Sequence, residues 1–223
     1  GLGDGPERGA GLHVGAVHAA VDGPVPGAHD RTSGRTAPPR RPRRARRPPG
    51  RAAALALVFF QQPGDVFHIS PGTYAPFQIL ASGLSGQPIV FSGPQNGIAL
   101  IDGGAIDAGI ITVGRWDQTI SHVVIEGLTI DNGRWGIDAQ HSQDIVVRHN
   151  TITDVDDGVV NRRGDGLEAR QTVCDNTIIG RVPWPGAGIP SEEGIDLKGD
   201  GNVVCHNRVQ YFGDCISVDP SAP

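Results

Sequence analysis

The chain has 223 residues, with 33 Gly, 18 Pro, no Met and only 5% aromatics. That much glycine with so few aromatics suits turn-dense β structure and argues against a helical bundle. No apolar run approaches the roughly 18 residues that a membrane-spanning helix needs.

The net charge of −5 conceals a division. Residues 1–52 hold ten arginines against four acids, net +6, whereas residues 53–223 hold nine basic against twenty acidic side chains, net −11. The missing methionine, absent even at position 1, suggests a mature or truncated piece.

Within a first segment of residues 1–62, residues 1–50 show no period of 2 or 3.6 and end in the run Pro38 to Pro49, dense in Arg and Pro. Such a stretch cannot bury enough apolar surface to fold, so a disordered segment is expected. Three readings of it stay open. A nucleic-acid-binding arm is the least favoured, and no nucleic-acid partner is expected. Arg40 to Arg51 followed by Ala52 to Phe60 has the order of a secretion signal, without a small-residue cleavage site. The biased composition also fits sequence that is not natively coding.

From Pro63 the character changes. Asp65–Ile69, Pro71–Tyr74, Phe77–Leu80, Pro88–Phe91, Ile98–Ile101 and Ile110–Val113 are predicted short strands or turns punctuated by Gly and Pro. Four gapless repeats follow: Val123 to Ile130, Ile145 to Ile152, Gln171 to Ile178 and Asn202 to Val209. They place Leu128, Asn150, Asn176 and Asn207 in one column, at steps of 22, 26 and 31 residues. Elastic spacing with Val, Ile, Asn and Gly is the pattern of a parallel β-solenoid. Leucine-rich repeats hold their length more constant, and propeller blades are longer, at about 40 to 50 residues. The expected fold for 63–223 is all-β, a right-handed parallel β-helix of about six coils that stops without an evident cap.

In such a fold equivalent residues stack about 4.8 Å apart. Ile125 and Ile130 and their equivalents would fill the interior. Stacked Asn150, Asn176 and Asn207 would satisfy one another's amides, with Leu128 closing the row. Cys174 and Cys205 share a column at a separation a disulfide accepts, so they pair if the compartment is oxidising and otherwise fill space. Cys215 is expected to be a buried filler, and His149 and His206 exposed turn residues.

Pro63-Gly-Asp65, Pro71-Gly-Thr-Tyr74 and Ser82 to Val90 resemble the opening coils of bacterial right-handed β-helix proteins, including relatives of pectate lyase, chondroitinase and alginate lyase. Glu193 to Lys198 with Gly201 to Val204 resembles their later coils. The resemblance spans roughly residues 63–220 and is more specific for fold than for reaction. It implies a secreted protein acting on an acidic polysaccharide. In these lyases Ca²⁺ neutralises the uronate carboxylate, and a Lys or Arg removes the C5 proton for β-elimination.

Gly136-Ile-Asp138, Gly158-Val-Val160, Gly194-Ile-Asp196 and Cys215-Ile-Ser217 form a second recurring strand. Gly166-Leu-Glu168 competes for the second of these rungs. If it wins, Asp138, Glu168 and Asp196 stack as an outward carboxylate ladder and become candidate Ca²⁺ ligands, because like charges that close need compensation. Lys198, the only lysine, lies two residues beyond Asp196 and thus on the same face. Arg170 stands in the same relation to Glu168, which makes Lys198 and Arg170 the candidate bases. Without a ligand these residues would be solvated surface charges.

The insertion 181–192 and its border add Trp184 and Glu193 as candidate substrate contacts, with Asp214 farther on. Glu193-Gly-Ile-Asp196 and Gly213-Asp-Cys-Ile-Ser217 faintly resemble the acidic motifs of polygalacturonases, so hydrolysis by paired carboxylates is the alternative chemistry. A non-catalytic β-helix that binds sugar through Trp116, Trp135 and Trp184, or a purely structural solenoid, is the third reading. The −11 charge of the folded part disfavours polyanion binding unless Ca²⁺ or a basic strip intervenes.

Overall fold

The computed structural model describes residues 61–115, 117–140, 142–161, 169–181 and 192–219. The expected disorder of the first 60 residues, the insertion 182–191, and the candidates Trp116, Glu168 and Trp184 therefore lie outside the described residues.

Among the described residues there are strands and no helices, and none of them could cross a membrane as a long apolar helix. One sheet takes the order β1 (Val66–His68), β4 (Ile89–Ser92), β6 (Ile120–Glu126), β8 (Ser142–Arg148), β10 (Thr172–Cys174), β13 (Val203–Cys205). The other runs β2 (Gly72–Tyr74), β5 (Ala99–Val113), β7 (Thr129–Asp138), β9 (Thr151–Asn161), β11 (Thr177–Gly180), β14 (Arg208–Gln210). On this second sheet β3 (Phe77–Ile79) pairs with β5, β12 (Glu193–Lys198) with β9, and β15 (Asp214–Asp219) with β12. Every pairing between these strands is parallel. The predicted strands 98–101 and 110–113 are parts of one long β5, bent where Gly104 and Ala105 take positive φ. Each repeat thus adds one strand to the first sheet and then one to the second, an arrangement consistent with a parallel β-helix.

The four repeats align in the register expected of them. Val123 pairs with Ile145, Thr172 with Val146 and Val203, and Ile130 with Ile152 and then Ile178. Ile125, Ile130, Ile137, Ile145, Ile152 and Ile178 are all fully buried. Each contributes about 1.5–3 kcal/mol relative to exposure. Between the sheets the chain turns on a single left-handed residue, Gly127, His149, Asp175 or His206, with φ of 67°, 56°, 58° and 51°.

The asparagine after that turn holds the corner together. Asn150 Oδ1 accepts the Leu128 N–H at 3.0 Å, Asn176 Oδ1 the Asn150 N–H at 2.9 Å, and Asn207 Oδ1 the Asn176 N–H at 2.9 Å. The amide nitrogens donate back to Ile125 O, Val147 O and Val173 O. Each buried asparagine therefore uses both halves of its amide. Cys174 and Cys205 are disulfide-bonded across adjacent coils, with Cα atoms 4.6 Å apart. Cys215 corrects the expectation: it is free and exposed, because β15 has no described strand beyond it.

Candidate functional site

The outward side of the second half of the second sheet is organised by glycines. A Cβ on Gly136, Gly158 or Gly194 would run into the core residues Ile152, Ile178 or Val209, so these positions face inward without room for a side chain. Ile137, Val159 and Ile195 follow and are also buried in the core. Two consecutive inward positions kink each strand and leave the preceding residue on the side of the sheet away from the core. Those preceding residues are Trp135, Asp157 and Glu193, and with Asp214 they form one row: Trp135 pairs with Asp157, and Glu193 with Asp214. The Glu193 N–H donates to Asp157 Oδ1 at 2.9 Å, linking the two pairs.

Parallel stacking therefore assembles three acids on adjacent coils, and Glu192 adds a fourth. Asp157, Glu192 and Glu193 can each offer a carboxylate oxygen within 4.8 Å of the others. Asp157 is 3% exposed, Glu193 half-buried and Glu192 exposed. Burial, the hydrogen bond with Asp157, and the charges of Asp157, Asp196 and Glu192 push the Glu193 carboxyl up from 4.5 to about 7. An all-oxygen donor set with excess negative charge fits a hard divalent cation. Without one, Glu193 exchanges a proton near neutrality, as a general acid or base must. Arg134 borders the cluster, stacking on Trp135 with its Cζ 4.4 Å from the ring and bonding Asp107 at 2.9 Å.

Other sequence candidates fall into place around this face. Leu197 is a core residue, so Asp196 and Lys198 both point outward, on the strand that carries Glu193. The Lys198 ammonium lies 3.7 Å from the Asp219 carboxylate on the next coil. The ladder of Asp138, Glu168 and Asp196 is a correction. Val160 pairs with Asp138 on one side and Asp196 on the other, so Gly158-Val-Val160 takes the contested rung. Asp138 is 1% exposed, accepts a 2.7 Å bond from Gln140 and packs over Gly109. Asp138 and Asp196 therefore stand two coils apart with Val160 between them, and the stacked carboxylate row is broken there. Arg170 belongs to the first sheet's face, where its guanidinium holds Asp144 through two bonds of 2.7 Å. Lys198 and Arg170 are thus carried by different faces.

Asp157 is the acid that the repeat pattern does not mark, since that pattern aligns the residues after each glycine. The available signal was the residue before it: Trp135, Asp157 and Glu193 immediately precede Gly136, Gly158 and Gly194.

No family model matches the chain, and no curated protein matches it in sequence. Among solved structures it is similar to the crystal structure of an alginate lyase from Paenibacillus sp. str. FPU-7, with a TM-score of 0.50 at 20% identity. The likeness covers 67% of this chain and 61% of that one, so this chain matches less than two thirds of the lyase's length. At such identity the likeness speaks to architecture alone: over the matched part this chain and that structure share a fold.

Proposed function

We propose that residues 63–223 form a right-handed parallel β-helix of about six coils that acts, outside the cell, on an acidic polysaccharide by Ca²⁺-assisted β-elimination. The observation that carries this reading is the cluster of Asp157 from β9 with Glu192 and Glu193, where Glu193 opens the strand that also carries Asp196 and Lys198. Asp157, Glu192 and Glu193 would hold the ion, with Asp214 alongside. When bound, Ca²⁺ supplies positive charge that neutralises a uronate carboxylate and acidifies its C5 proton. Lys198, as the neutral amine, takes that proton and becomes the ammonium. The electron pair forms the C4–C5 double bond, the C4–O bond breaks, and the leaving oxygen collects a proton from solvent. Trp135 with Arg134 offers a stacking surface and a cation to a neighbouring sugar.

The test is ultraviolet absorbance of the unsaturated product from alginate, pectate and chondroitin, with Ca²⁺ and with EDTA. Calcium-dependent growth abolished by Lys198→Ala and by Asp157→Asn is expected. No growth on any of the three, from folded protein, would overturn the reading.

The Glu193 carboxyl near 7, in register with Asp214 and bonded to Asp157, supports hydrolysis as a second reading. One protonated and one ionised carboxyl are what glycoside hydrolysis uses. Release of reducing ends without ultraviolet absorbance, lost in Glu193→Gln, would select it.

A further inference from the structure

The first sheet carries a separate concavity of about 290 Å³. This lies near the lower end of the ~300–1,000 Å³ of small-molecule clefts. Its floor is Val124, Val146 and Thr172, one from each of three adjacent strands in register. The 84–88 turn, closed by reciprocal backbone bonds between Leu84 and Gln87, forms a wall and leaves Leu84 56% exposed. Along one edge run His122, Asp144 and Arg170, one per coil.

All three of these edge residues have left-handed backbones, with φ of 55°, 55° and 46°. Asp and His tolerate that region, whereas Arg is an uncommon occupant and strains the backbone there. The next coil has Gly201 at φ 73°, and a Cβ on it would lie 2.8 Å from Arg170 Cγ. A bare glycine thus makes room for the arginine side chain. The Arg170 guanidinium bonds both Asp144 oxygens at 2.7 Å and holds that carboxyl below its ordinary range. His122 Nε2 lies 4.0 Å from Asp144 Oδ2.

The edge therefore offers a fixed carboxylate, a guanidinium and an imidazole beside an aliphatic strip. An anion would have to displace Asp144 from Arg170, and a cation would meet Arg170. A hydroxylated ring meets neither obstacle. Its hydroxyls donate to Asp144 and accept from Arg170 or His122, while its C–H face lies on Val124 and Val146. We propose that this cleft is a second, non-catalytic saccharide site that binds a pyranose through its hydroxyls. Successive coils repeat the polar residue about every 4.8 Å, comparable to one sugar unit, which suits a chain laid along the coil stack. The inference is independent of the acidic face.

The experiment titrates the full chain with two neutral tetrasaccharides, cellotetraose and mannotetraose, and with tetramannuronate, followed by calorimetry and by backbone amide shifts. Binding of a neutral tetrasaccharide that shifts Val124, Val146 and Thr172 amides is expected, weakened at least tenfold in Val146→Trp, which fills the cleft from its exposed side. Arg170→Gly removes the donor and should also weaken binding. Lyase or hydrolase turnover should be unchanged in Val146→Trp, which separates this site's failure from that of the acidic face. No binding of either neutral sugar, binding unaffected by both variants, or binding of tetramannuronate alone would overturn the proposal.

Discussion

Two columns of this molecule are built alike, one residue per coil at the spacing of a parallel sheet, and end in opposite electrostatic states. Asn150 and Asn176 stack buried, with Asn207 half-buried beyond them, and each both accepts and donates. Asp157, Glu193 and Asp214 stack with acceptors only, and Glu193 responds by holding its proton up to about 7. Stacking amplifies whatever chemistry it repeats. An amide carries its own complement and becomes structural, while a carboxylate lacks one and recruits a proton, a cation or a ligand.

The strongest way to break the contrast is to put a carboxylate into the amide column. Asn176→Asp loses donors to Val147 O, Cys174 O and Asn207 Oδ1 and buries a charge among acceptors. It should cost about 3–5 kcal/mol at neutral pH, read by urea unfolding, with part of the loss recovered as pH is lowered. Asn176→Ala removes the amide without adding charge, stranding the Asn150 N–H, and should cost about 2–3 kcal/mol in the same assay.

The reverse exchange is Glu193→Gln. A folded-state value of about 7 against an ordinary 4.5 means that the folded chain binds more protons between those limits. The wild-type stability contribution is fully present below 4.5 and is lost as pH rises through 7. Thermal melting of the wild type should fall across that window, and Glu193→Gln should flatten it. Ca²⁺ should release protons on binding near neutrality, measured in weakly buffered solution, and release fewer in the variant. The smallest effect is expected beside the amide column. Arg148→Ala breaks the exposed 2.7 Å pair with Glu126 and should change stability by about 0.5 kcal/mol or less.

The repeats were legible because their columns are chemically uniform. Ile125, Val147, Val173 and Val204 form one aliphatic column in the sequence, and the sheet register follows it. The site was legible only in fragments. Glu193 and Asp214 were singled out, yet Asp157 was not, and the ladder drawn through Glu168 placed an acid where Val160 stands. The omission of Asp157 has a physical origin. Strand alternation predicts which side chains share a face, but the glycine kink inserts a second inward residue and shifts the parity of the residue before it. Arg170 shows the same limit. Its spacing from Glu168 suggested a base, whereas its partner is Asp144, 26 residues away and one coil over.

Local chemistry by itself determined that this chain would form stacked strands of one coil per repeat, with aliphatic columns inside and asparagines at a corner. Those preferences repeat and therefore reinforce one another across coils. Which acids meet, which arginine is engaged and where a cleft opens depended on insertions and kinks that vary between coils. Contacts across coils are made by residues 20 to 40 positions apart, and only the folded register decides which of them face one another.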